Sequence, residues 1–126
     1  MLYEKISAKT FEQIDLALRE SAARHKFGVL AVHDLQQTMR NKGVDFPNRV
    51  VVYEVCNPME ASQVLTANGA ISTALPCRIS VYESSGGVRL ATILPTALIG
   101  MFGDATLEPV AARVEQTLRE MIDDSI

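Results

Sequence analysis

CRISVYESSGGVRLATIL, residues 77–94, is the stretch on which the fold class turns. Cys77 to Glu83 and Val88 to Leu94 read as two strands rich in Ile, Val and Leu, and Ser84-Ser85-Gly86-Gly87 lies between them. Small residues and glycines tolerate the positive φ angles of a tight reversal, so the segment predicts an antiparallel hairpin. A hairpin this apolar needs cover, and the segments on either side of it supply helices.

Downstream, Thr106 to Ile122 places Leu107, Val110, Ala111, Val114, Leu118, Met121 and Ile122 at three-and-four spacing, which predicts a long amphipathic helix lying across the sheet. Leu90 to Phe102 is a mostly apolar run interrupted by Pro95 and Gly100. It is too short and broken for a membrane span, and reads as a buried strand followed by a short covering helix, with a subunit interface as the alternative. Upstream, Leu2 to Ile6 predicts a first strand, and Phe11, Ile14, Leu18 and Ala22 mark one face of a helix. Phe27 to Val32 and Asn48 to Val55 predict two more strands, separated by a short helix from Asp34 to near Gly43. Asn57 opens a further helix with Ala61, Val64 and Leu65 inward, and Asn68-Gly69 predicts a left-handed stop. Ala70 to Pro76 carries little pattern. The sum is an α+β chain with a mainly antiparallel sheet of about five strands covered by helices.

Three helix entries share one chemistry: Thr10-Phe-Glu-Gln13, Asp34-Leu-Gln-Gln37 and Asn57-Pro-Met-Glu60 each set a short acceptor side chain three residues before a Glu or Gln. Each predicts a capping box or a close variant, able to satisfy backbone N–H groups that a helix start leaves unbonded. These polar residues are accordingly read as caps before catalysts.

At 126 residues the chain fits a single domain, residues 1–126, with one core. Apolar residues make up 48% and charged residues 21%, which is the composition of a globular protein rather than a disordered one. Twelve Lys/Arg are scattered among fifteen Asp/Glu for a net charge of −3, so no basic footprint for nucleic acid or anionic membrane surfaces is expected. The start, Met1-Leu2-Tyr3-Glu4-Lys5, resembles neither an export signal nor an organelle leader, which makes the cytoplasm the expected location. Two cysteines are too few for a disulfide scaffold, and free thiols are expected.

Those cysteines are the one pointed chemical feature. Cys56 ends the third strand, with Asn57 as cap and Pro58 at the first helical position, so its thiol is expected near the positive end of a helix dipole that favours thiolate. Cys77 opens the fourth strand between Pro76 and Arg78; the guanidinium would favour thiolate too, although neighbouring strand residues face opposite ways. Antiparallel third and fourth strands would bring both cysteines to one end of the sheet, whereas a parallel crossover would separate them. The bland alternative is that both are buried as small apolar side chains. No metal site is expected, because the thiols are distant in sequence and His25 and His33 lie in unrelated segments. Glycine-rich phosphate loops, nucleophile turns and zinc-helix motifs are absent from the sequence. Phe46, Tyr53 and Tyr82 are candidate pocket walls, with packing as their ordinary role.

Phe27-Gly28-Val29-Leu30, Asp34, Gly43-Val44-Asp45-Phe46-Pro47, Cys56-Asn57-Pro58, Leu75-Pro76-Cys77 and Val81-Tyr82-Glu83 occur in an order and spacing that resemble domain-of-unknown-function family 302, from about residue 10 to residue 120. The resemblance implies a curved antiparallel sheet covered by helices, similar to the TATA-box-binding-protein-like class, and a homodimer. The family carries no established activity, so the resemblance transfers no catalytic role and leaves the cofactor and the enzyme question open. His33 departs from the apolar residue expected before the Asp, and Arg78 from an expected Asn, which would bias a nearby site towards anions. Two readings follow. One is a homodimeric binding or accessory protein with a small-ligand pocket formed by Cys56, Asn57, Pro76, Cys77 and Arg78. The other is a thiol-based redox or sulfur-handling protein in which Cys56 attacks and Cys77 resolves or holds a ligand.

Overall fold

The hairpin sits in the middle of the molecule. A computed structural model describes residues 1–126. Its strands are β1 (Leu2–Ser7), β2 (Gly28–Asp34), β3 (Val50–Cys56), β4 (Cys77–Ser84) and β5 (Gly87–Ile93). Its α-helices are α1 (Phe11–Arg24), α2 (Leu35–Asn41), α3 (Pro58–Ala67), α4 (Pro95–Gly100) and α5 (Glu108–Ser125). One five-stranded sheet runs in the order β1-β5-β4-β3-β2 with every neighbouring pair antiparallel. This is the α+β architecture that the strand and helix patterns predict.

The β4–β5 reversal closes at Ser84 and Gly87, with Gly86 at φ +90° and Gly87 at φ +150°. A Cβ on Gly87 would stand 2.4 Å from the Ser7 carbonyl oxygen, so glycine is required there twice, by backbone angle and by the close approach of β1. With the hairpin fixed, β1 adds to β5 and β3 adds to β4, and side-chain alternation sorts the residues into two faces.

One face is buried. Val51, Tyr53 and Val55 of β3, Ile79 and Val81 of β4 and Leu90 of β5 pack against Ile14, Leu18 and Ala22 of α1 and Leu118, Met121 and Ile122 of α5. Polar side chains anchor this layer. The Tyr53 hydroxyl donates to Asp15 of α1 at 2.6 Å, the Tyr3 hydroxyl donates to Asp123 of α5 at 2.6 Å, and Ser21 donates to Asp124 at 2.8 Å between the two helices. A second, smaller cluster lies beyond the end of the sheet, where Val64 of α3, Ile71, Ile99 of α4, Leu107, and Val110 and Ala111 of α5 meet. α5 therefore serves both clusters, with its C-terminal half over the sheet and its N-terminal half over α3 and α4.

The opposite sheet face lacks cover from α1 and α5. It carries Leu2 opposite Ile93, Ile6, Arg78, and Glu4 with Tyr82 and Arg89 as its polar partners. Tyr53 and Tyr82 thus point to opposite faces and, with Phe46 in the loop before β3, do not share a pocket.

Local capping differs from expectation in two places. Of the three predicted boxes only Thr10/Gln13 is complete; Asp34 and Asn57 cap from their own side, while Gln37 turns to Asn41 and Glu60 turns to Arg113. α3 does not end in a left-handed residue: Asn68 is extended (φ −156°), and its side chain instead accepts from Ala70 N–H and starts a 3-10 turn over Gly69–Ala74. That turn is what the pattern-poor linker forms, and it delivers Ile71 to the second cluster.

Candidate functional site

The seam between the two apolar clusters leaves a cavity of about 50 Å³. Phe27 and Val55 line it from the sheet side, and Val64, Ile71, Ile99 and Val110 from the second cluster. Its existence follows from the architecture: β3 ends at Cys56, Asn57 caps α3, and the chain departs from the sheet just where α5 passes overhead. Of 17 lining residues 14 are hydrophobic, and the others are Asn57, Glu60 and Pro95.

Cys56, Asn57 and Cys77 each border this cavity, but the two cysteines are not close neighbours. Their shared border follows from the antiparallel pairing of β3 and β4, which sets Cys77 opposite Val55, one residue from Cys56. The pairing partner of Cys77 is nevertheless Val55, and Cys56 alternates to the other side of the strand, so the two thiols are not a facing pair. Both are free, with no disulfide between them. Pro76 and Arg78 do not line the cavity. Pro76 follows Leu75 through a cis peptide bond, and Arg78 is exposed on the uncovered sheet face, directly opposite Glu54.

The thiol electrostatics run opposite to the expectation of an activated cysteine. Burial pushes Cys56 up, and burial, reinforced by Cys56 and only partly offset by Arg78, pushes Cys77 up to about 11. No donor hydrogen-bonds to either sulfur, and Asn57 spends its side-chain oxygen on the Met59 and Glu60 N–H groups, at 3.0 and 3.2 Å. The helix start that was expected to favour a thiolate at Cys56 is thus satisfied by Asn57. Both thiols are held in the neutral form.

Glu60 and Arg113 are the functional candidates that sequence reasoning missed. Glu60 reads as the fourth member of a capping box, but it lines the cavity, and its carboxylate pairs with Arg113 of α5, Nε to Oε2 and Nη2 to Oε1, each at 3.2 Å. The partner lies 53 positions away, a separation at which charge pattern gives no signal. No group of three or more His, Cys, Asp or Glu is arranged to hold a metal ion, and no helix is long and apolar enough to cross a membrane.

The family model described as domain of unknown function DUF302 matches residues 3–125. The chain belongs to the DUF302 family. A crystal structure of an uncharacterized conserved protein DUF302 from Bacillus stearothermophilus is similar at 33% identity and a TM-score of 0.94, covering 99% of this chain and 98% of that one. No curated protein matches the chain. Within this DUF302 chain His33 and Arg78, which the sequence reading sets apart from the family pattern, do not line the cavity: His33 faces Glu54 at 2.6 Å between β2 and β3, and Arg78 lies opposite Glu54 on β4. Arg78 is thus outside the cavity lining, although its charge is felt by Cys77 in the wall.

Proposed function

We propose that this DUF302 protein is a non-catalytic, cytoplasmic binding or accessory protein that takes a small, mainly apolar molecule in the cavity beside Cys56, Asn57 and Cys77. The observation that carries the reading is an apolar void at the seam of two clusters with only Asn57 and Glu60 as polar side chains, the usual composition of a small-ligand site. The neutral thiols fit the role of wall better than that of nucleophile, and their lack of a disulfide fits a reducing compartment. Pro76 contributes by shaping the entry to β4 rather than by touching the ligand. Burial at about 0.8 kcal/mol per methylene makes a three-carbon body worth roughly 2–3 kcal/mol, so fragments of that size bind weakly.

Self-association belongs to the same proposal. The uncovered sheet face exposes Leu2 (59%) and Ile93 (47%) side by side, and Arg78 there has no ion pair within the chain while Glu4 and Glu54 stand on the same face. A second copy turned about a two-fold axis supplies carboxylates to Arg78 and covers the apolar pair. In sedimentation equilibrium the protein should run as a dimer and Ile93→Lys as a monomer; a monomeric parent protein contradicts this part. The binding part is tested by methyl-resolved NMR with n-propanol. Shifts confined to Val64, Ile71, Ile99 and Val110 are expected, and shifts scattered over the surface would contradict it.

A further inference from the structure

We infer that the ligand of this cavity carries a cationic, ammonium-type head group on its apolar body, anchored on the Glu60 carboxylate in place of Arg113; the inference rests on the cavity-binding reading above. No cationic side chain lines the cavity, and Glu60 is its one charged wall residue. Asn57 has committed its oxygen to two backbone N–H groups, so it offers a ligand only its amide N–H donors. The cysteines are free thiols, and Arg78 is on the other face of the sheet. A carboxylate or phosphate head would meet Glu60 without a compensating cation inside the wall, whereas an ammonium would find its counter-charge already in place.

The partnership of Glu60 with Arg113 is built to exchange. Glu60 is fixed in the wall with its side chain 18% exposed, while Arg113 reaches it from the solvent side with its own side chain 56% exposed. Their two parallel contacts, at 3.2 Å each, form a bidentate pair, and Arg113 also reaches Gln63 at 3.3 Å; its solvent exposure is what lets a ligand cation compete for the carboxylate. Arg113 joins α5 to α3 through Glu60 and Gln63, so its release frees the carboxylate while the buried residues of α5 keep that helix in place. A void of about 50 Å³ is roughly a third of the ~150 Å³ cavity that holds a benzene, so the body it accepts is limited to about three carbons.

The test compares three probes with one body, n-propylammonium, n-propanol and propionate, by methyl-resolved NMR titration at pH 7 and constant ionic strength. n-Propylammonium should bind at least tenfold more tightly than n-propanol, which corresponds to about 1.4 kcal/mol, and propionate more weakly than both. Glu60→Gln should abolish the ammonium preference and keep n-propanol binding, which also shows that the variant is folded. Arg113→Gln should tighten n-propylammonium by removing its competitor. Propionate binding as tightly as n-propylammonium, an ammonium preference that survives Glu60→Gln, or unchanged ammonium affinity in Arg113→Gln overturns the head-group inference and leaves the cavity reading standing. If none of the three probes shifts the cavity methyls, both fall.

Discussion

Cys77 should be a slow thiol, and its slowness should have a measurable counterpart in stability. Burial, with a smaller contribution from Cys56, raises it from an ordinary value of 9.0 to about 11. At pH 8 a thiol titrating at 9 is roughly one-tenth ionised and one titrating at 11 roughly one-thousandth, so alkylation of Cys77 should be about a hundredfold slower than that of an exposed reference thiol. Because the folded value lies above the unfolded one, the neutral thiol stabilises the fold fully below about pH 9. That contribution fades as pH rises through 11, and about two units at 1.36 kcal/mol each bound it at roughly 2.7 kcal/mol. Cys77→Ala lacks this titration, so the stability difference between parent and variant should shrink between pH 9 and 11, while lysine and tyrosine titrations cancel between the two. The assays are mass-spectrometric iodoacetamide labelling and urea unfolding across pH. Labelling of Cys77 within a factor of about ten of the reference thiol at pH 8, or parallel pH profiles for the two proteins, would refute the reasoning and restore a thiol-based function.

Three further outcomes follow from the packing. Tyr53→Phe removes the donor to Asp15 and should cost about 1–2 kcal/mol in urea unfolding at pH 7. Burial works to raise Asp15, but the bonds from Tyr53 and Arg19 outweigh it and hold the carboxyl low, so this stabilisation is lost as pH falls through the depressed folded value and the cost of the variant should dwindle below about pH 4. Gly87→Ala forces a Cβ to within 2.4 Å of the Ser7 carbonyl at φ +150° and should lower the thermal midpoint by several degrees, whereas Gly69→Ala, with open space around it, should change it little. Ile79→Ala, at a fully buried position under α1 and α5, should cost about 2–5 kcal/mol by chemical denaturation.

The hairpin and the long helices were legible because their signals are local, whereas the pairing of β1 with β5 joins distant segments and was not. The hairpin at Ser84–Gly87 announces itself by composition, and α1 and α5 by apolar spacing that the tertiary structure respects. Helix ends were less legible, since a cap depends on which competing partner wins: Glu60 and Gln37 suit a capping box equally well on paper, and both are drawn off by Arg113 and Asn41. The cavity was visible only in part. Cys56 and Cys77 were marked by strand ends and adjacent prolines, but Ile71 sat in a linker without periodicity, and Val110 and Ala111 read simply as one more stretch of core-facing helix. Arg78 was assigned to the site through its neighbour Cys77, although strand alternation already sends the two side chains to opposite faces. The thiolate expected at Cys56 is opposed by burial, which pushes that thiol up, and the helix start beside it is capped by the Asn57 side chain.

Whether the seam between the two clusters is a real, accessible apolar site is most directly measured by diffraction from a crystal pressurised with xenon, which enters apolar voids without needing a head group. Xenon density enclosed by Val64, Ile71, Ile99 and Val110 is the predicted result; a seam that excludes xenon, or that is filled by ordered water, would contradict it.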